Sequence, residues 1–154
     1  MNVPASIRLN ADDIGKLSSA YLNEGRKLES WQIEDVDIRG KQLTARVSMR
    51  SIYVSGTDSK GFHLTIFSTL EFLSQLMIIY AHVWAGLEQK TKEGWMLEST
   101  TRSVRAIRDP ARINVEMDVV SMRKRGENLY CVADCRVMDD QGGLFEVSLK
   151  GFLS

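Results

Sequence analysis

The stretch from Gly61 to Gly86, GFHLTIFSTLEFLSQLMIIYAHVWAG, constrains the rest of the chain more than any other. It is the one long apolar segment, and it reads as a helix of roughly five or six turns, with the helix proper expected over residues 66–89. A helix that is apolar nearly all round has to be buried. Glu71, Gln75 and His82 interrupt it and His63 stands just before it, and buried carboxylates and amides need partners or a task. Its most apolar part, residues 72–87, is 16 residues long, short of the ~20 that cross a bilayer. Extending it backwards takes in Glu71, which is expensive in lipid. The expectation is a buried core helix.

The flanking sequence supplies strands to cover that helix. Asn10 followed by Ala11-Asp12-Asp13 is an N-cap with acids in the first turn, and the spacing of Ile14, Leu17, Ala20 and Tyr21 predicts a short amphipathic helix over 11–22. Trp31–Arg39 and Gln42–Val54 read as strands around a Gly40 hairpin turn, the second alternating Leu43, Ala45, Val47 and Met49 with polar residues. Ser55 to Gly61, SGTDSKG, reads as a mobile loop. After the helix come four strand-like runs, Trp95–Arg108, Ile113–Met122, Leu129–Met138 and Leu144–Leu153. Their turns are placed at Asp109-Pro110, Arg123-Lys124-Arg125-Gly126 and Asp139 to Gly143. Short turns favour antiparallel pairing. The prediction is an α+β fold in one domain, 1–154: a curved antiparallel sheet of about six strands around one long central helix, plus a short N-terminal helix.

Composition excludes several classes. Twenty acidic and twenty basic residues cancel, which gives no support to a nucleic-acid partner or a polybasic membrane surface. Met1 to Leu9 has no apolar core of a secretory signal. Cys131 and Cys135 lie four apart in a predicted strand, about 13 Å along it, too far for a disulfide. With only two histidines, a structural zinc site is not expected. These readings place the protein in the cytoplasm, with no metal and no cofactor of its own. A G-x-S-x-G elbow, a P-loop and a dinucleotide-binding glycine pattern are all missing.

TLEFLSQL, Thr69 to Leu76, resembles the start of the central helix in hotdog-fold dehydratases and thioesterases, which commonly place an acid one turn before a Gln. Here these are Glu71 and Gln75. Leu129 to Leu153, with its D-x-x-G turn, is similar to the last hotdog hairpin, so the resemblance covers about residues 31–154. A narrower likeness is to type III fatty acyl-CoA thioesterase-like hotdogs. In these a tyrosine, a loop and a His-Phe-Asn motif lead into a helix with a Gln twelve residues after the His. Tyr53, the loop 54–62, His63-Leu64-Thr65 and Gln75 match that layout. Some of that group add glycine to an α,β-unsaturated acyl thioester, using the His through a water and the loop to recognise the glycine. Leu64-Thr65 in place of Phe-Asn, a longer loop and the acid Glu71 depart from it, and the dehydratase His-Phe-Pro pattern is absent.

The resemblance implies a homodimer, or a higher homo-oligomer, with the site at the subunit interface. It implies an acyl-thioester substrate on the phosphopantetheine of coenzyme A or an acyl carrier protein, in fatty acid or polyketide-type biosynthesis. Glu71 is the expected general base or nucleophile, against a plain first-turn acid. His63 is the second catalytic candidate, able to position water or polarise a carbonyl. Tyr53, Gly61, Thr65, Ser68 and Gln75 are the candidate substrate-binding residues, with helix-entrance amides near Thr65 to Ser68 holding an oxyanion. Gln75 and Tyr53 are equally well read as structural, and His82 is expected to be a satisfied core histidine. The Arg123–Arg125 run reads as a solvated hairpin tip. Hydrolysis leads; glycine or amine addition, dehydration, and thioester binding without turnover are the alternatives.

Overall fold

The computed structural model describes residues 8–17 and 28–154. Helix α1 spans Ala11–Leu17. Asn10 Oδ1 accepts from Asp13 N at 2.9 Å while Asp13 Oδ2 accepts from Asn10 N at 3.4 Å, a reciprocal cap. The expected continuation to residue 22 lies outside the described residues. Strands β1 (Ser30–Arg39) and β2 (Gln42–Ser51) precede the long helix α2 (Ile66–Trp84). Strands β3 (Gly94–Arg105), β4 (Ile113–Arg125), β5 (Asn128–Met138) and β6 (Leu144–Leu153) follow it. The six strands form one antiparallel sheet ordered β1-β2-β4-β5-β6-β3. The antiparallel sheet, the long helix and the short helix are as predicted, but β3 and β4, read as joined by a turn at Asp109-Pro110, are not neighbours: β3 pairs with β6.

Helix α2 packs one face on the inner side of this sheet. Phe72, Leu73 and Leu76 are fully buried, with Met77 and Tyr80 beside them, against Leu43, Val47, Val115, Met117, Ala133 and Leu149. Burying each large side chain here is worth about 1.5–3 kcal/mol. Small residues on the facing strands allow the close approach. A Cβ on Gly151 would stand 2.9 Å from Met77 Sδ, and one on Gly94 would stand 2.7 Å from Ile78 Cγ1. Cys131 and Cys135 are buried on the same inner face, and burial pushes their thiols up to about 11 and about 12. By length and composition α2 would also suit a membrane crossing. Its apolar face is instead occupied by the sheet.

Several boundaries differ from those read in the sequence. Helix α2 ends at Trp84 rather than residue 89. Gly86 takes a φ of 69°, and Leu87 N donates to His82 O while Gly86 N donates to Val83 O. That pair of bonds is a Schellman stop, which the left-handed glycine makes inexpensive. The basic run Arg123–Arg125 is strand, not turn. These residues pair with Tyr130, Leu129 and Asn128, and Gly126, φ 59°, opens a tighter turn after them. Strand β2 stops at Ser51, its last partner being Ser30. Strand β3 stops at Arg105 because the next backbone groups are claimed elsewhere: Ile107 O accepts from Leu64 N, and Arg108 N donates to Asp139.

Bulges curl the sheet. Glu34, Leu97, Val104 and Val120 have no partner in the ladders where the β1–β2, β3–β6 and β4–β5 registers shift, and such extra residues bend and twist a strand. The D-x-x-G turn is built on Asp139, which is buried. Its Oδ2 accepts from Arg108 N (2.7 Å) and Asp109 N (3.1 Å), and its Oδ1 from Gln141 N (3.0 Å) and Gly143 N (2.7 Å). Burial pushes this carboxyl up, but the four N–H bonds outweigh it and hold it below the usual range. A lowered folded-state pKa contributes stability at neutral pH that is lost as pH falls through the carboxylate range. Asp139→Ala should therefore cost about 2–3 kcal/mol in urea unfolding at pH 7, through orphaned N–H groups, and the gap to the parent protein should narrow below roughly pH 4.

Both thiols, buried and poorly ionised, should resist an aromatic disulfide reagent at roughly pH 8 in the native protein. Both should react on unfolding, and rapid native labelling would contradict the packing of β5 beneath α2.

Candidate functional site

Thr65, in an extended conformation, caps α2: its Oγ1 accepts from Ser68 N at 3.2 Å. The same hydroxyl lies 3.5 Å from Glu29 Oε2, and Ser68 Oγ donates to that oxygen at 2.8 Å. Glu29 is 9% exposed. The entrance to α2 therefore already holds a carboxylate from the chain itself, where the partial positive charge of a helix N-terminus favours one. Thr65 and Ser68, expected to bind substrate, are instead buried cap residues tied to Glu29.

Glu71 sits in the second turn of α2, so its reading as a first-turn acid is replaced: the first turn carries no acid. It is half-buried, and Trp31 Nε1 donates to its Oε2 at 3.0 Å. Trp31 itself packs edge-on against Phe72, ring centroids 6.1 Å apart, which fixes the indole that holds the carboxylate. Glu71, Ser74 and Gln75 line an open groove with Glu29, Ser30 and Trp31. Gln75 is exposed one turn after Glu71 on the same side of the helix. Ser74 also borders an adjoining apolar pocket with Met77, Ile78, Gly94, Trp95 and Phe152. A carboxylate and an amide therefore stand at the polar end of a cleft that turns apolar further along the helix.

His63 is in a second cluster. Its Nδ1 lies 2.7 Å from Asp58 Oδ2. Arg108 Nη1 donates to Asp58 Oδ2 and Oδ1 at 3.2 and 3.3 Å, and to Phe62 O at 3.3 Å. The His63 hydrogen bond, helped by the Lys60 N–H and the Arg108 guanidinium, holds the Asp58 carboxyl below its usual range against the opposing effect of burial. The loop expected to be mobile is pinned by turns, Asp58 N to Ser55 O and Gly61 N to Asp58 O. Gly61, φ 81°, shapes that turn. Tyr53 is half-buried at the head of the loop. His82 is a satisfied core residue, its Nδ1 bonding Ile78 O (2.8 Å) and its Nε2 accepting from Thr91 N (3.1 Å).

The structure thus unites Glu71 with Gln75, and sets His63 with Asp58 and Arg108. Sequence reasoning missed Trp31, Glu29, Asp58 and Arg108. Only Asp58, five residues before His63 in a polar loop, carried a local signal. The other three arrive through tertiary contacts across 36 to 50 residues. Among the described residues, no cluster of three or more His, Cys, Asp or Glu could hold a metal ion. If Thr65 serves as a cap, Thr65→Ala should lower unfolding stability by about 1 kcal/mol and Thr65→Ser should restore it; equal stability of all three would exclude that role.

No protein-family model matches the sequence, and no curated protein matches it. Solved structures do match the fold. A thioesterase of Pseudomonas aeruginosa, solved as a mutant, is 14% identical with a TM-score of 0.55, over 80% of this chain and 80% of that one. A mutant thioesterase enzyme of Staphylococcus aureus is 9% identical with a TM-score of 0.52, over 80% and 93%. A dehydratase heterocomplex of Xenorhabdus doucetiae gives a TM-score of 0.58 at 12% identity, over 79% and 82%. With its six antiparallel strands wrapped around one long helix, the chain has the hotdog fold of thioesterases and dehydratases.

Proposed function

We propose that this protein is a thioesterase that hydrolyses an acyl group from coenzyme A or an acyl carrier protein, working as a homodimer in fatty acid or polyketide-type biosynthesis. The observation that carries the reading is the groove along α2, where the Glu71 carboxylate, held by Trp31, stands one turn from Gln75. Such a carboxylate can take a proton from water as the water attacks the thioester carbonyl, after which the thiol leaves and the acid remains. A helix N-terminus can supply backbone donors to a developing oxyanion, but at this one the Ser68 and Thr69 N–H groups are engaged by Thr65 and the Glu29 carboxylate stands beside them, so the reading rests on Glu71 and Gln75.

Strand β3 supports the dimer. It is a sheet edge with nearly every residue exposed, Trp95 at 57% and Leu97 at 60% among them, and a bare edge offers its backbone to another strand. Pairing of two β3 edges would bring the apolar pockets beside Gly94 and Trp95 of two copies together, and in the proposed dimer His63 of one subunit serves the site of the other.

The second reading is addition of glycine, or another amine, to an α,β-unsaturated acyl thioester through His63, and the ordered His63–Asp58 pair favours it. Against glycine, the guanidinium of Arg108 is already committed to Asp58 rather than open to a carboxylate. Crotonyl and saturated acyl thioesters, with and without glycine, separate the two by product mass. Hydrolysis predicts free acid from both substrates regardless of glycine. Glu71→Gln should lower kcat by roughly 10²–10⁴-fold, with the fold intact by circular dichroism; unchanged turnover would remove Glu71 from the mechanism.

In solution the mass should be twice 17.4 kDa, and Leu97→Lys on the exposed edge should yield inactive monomer. An active monomer would refute the shared site.

A further inference from the structure

We infer that Asp58 is a positioning residue for His63, fixing its imidazole as the Nδ1–H tautomer so that Nε2 is the basic nitrogen, with Arg108 and Asp139 holding Asp58 in place. This rests on the second reading above, which gives His63 a part in the reaction, and not on the role of Glu71. An ionised carboxylate can only accept hydrogen bonds, so the 2.7 Å contact between Asp58 Oδ2 and His63 Nδ1 requires the proton on Nδ1. A neutral imidazole then carries its lone pair on Nε2, the nitrogen able to take a proton from water or an amine. Free imidazole side chains favour the opposite tautomer, so the pairing inverts the ordinary preference.

Three chain segments converge to hold that carboxylate. Its own loop contributes the Lys60 N–H at 3.1 Å. The β3–β4 connection contributes Arg108, whose Nη1 spans both carboxylate oxygens and also reaches Phe62 O, next to His63. The β5–β6 turn contributes Asp139, which takes the backbone N–H of Arg108 itself at 2.7 Å. The base of Arg108 is thus fixed by one buried carboxylate while its tip fixes another. Asp58 is 16% and His63 39% exposed in their side chains. The contact faces solvent on the His63 side only, so the arrangement fixes the orientation and proton placement of His63 as well as adding to the stability of the loop.

The chain has only two histidines, which makes nitrogen-15 NMR a direct test. His82, with Nδ1 bonded to Ile78 O and Nε2 accepting from Thr91 N, is an internal standard for the same tautomer. In the spectrum of the neutral rings, both histidines of the native protein should show a protonated Nδ1 and an unprotonated Nε2. In Asp58→Asn, His63 should move to the Nε2–H form while His82 does not, with the fold retained by circular dichroism. Turnover should fall by roughly 10²-fold in kcat with little change in KM. That is less than the ~10⁴-fold of a buried triad aspartate, because water can partly replace the lost partner. Asp58→Glu should recover part of both signals. A native His63 with Nε2–H, or a spectrum unmoved by Asp58→Asn, would overturn the inference whatever the activity. A tautomer change with full turnover would instead overturn the assignment of His63 to the reaction.

Discussion

The burial of α2 against a single sheet is the constraint on which the rest of the molecule depends. Large inward side chains such as Leu43, Met117 and Leu149 fill the space beside the helix, while the inner face thins where the backbones come closest, with glycine at 94 and 151 and small residues at 131, 133 and 135. The strands must also curve to follow the helix, and the bulges at Glu34, Leu97, Val104 and Val120 provide bends where a regular ladder would stay flatter. One apolar face of one helix thus dictates side-chain size across three strands and the positions at which pairing breaks.

The polar chemistry collects where that packing ends. At its entrance α2 needs partners for unsatisfied N–H groups and meets Thr65 and the Glu29 carboxylate; at its exit Gly86 turns the chain back on itself. Asp139 plays the same part for loops, gathering four backbone donors from two connections. Glu71 and Gln75 stand on the side of α2 that the sheet leaves open, in the groove where its packing stops.

The helix, the strands and the hairpin turns at Gly40, Gly126 and Asp139 to Gly143 were legible because each depends on residues near in sequence: apolar period, alternation and glycine turns. The order of the strands in the sheet was not, since β2 meets β4 and β3 meets β6 across long stretches of chain. That Glu71 and Gln75 share one side of the helix was legible for the same reason, since they are one turn apart; Tyr53 and His63 were singled out by family resemblance rather than by local pattern. What was not legible is what those residues touch. Nothing local foretells that Trp31 would reach Glu71, or Arg108 Asp58, and the Thr65 and Ser68 hydroxyls were claimed by a glutamate 36 to 39 residues away. The basic run at 123–125 misled because charge was read as a turn, although exposed strand residues on the outside of a sheet are just as often charged.

The bulges have a consequence beyond curvature. In β3 they fall at Leu97 and Val104, leaving Glu98–Ser103 as the regular middle of the ladder; in β1, at the other edge, the ladder breaks at Glu34. A stranger's strand laid along either edge would find only a short run of evenly spaced amides before the path twists away. An open sheet with two bare edges is a template for endless stacking into fibrils, and interrupted edges limit how far such growth can be seeded. The same irregularities that bend the sheet around its helix therefore confine any strand added to the β3 edge to the Glu98–Ser103 stretch, enough for one partner and too short for a growing stack.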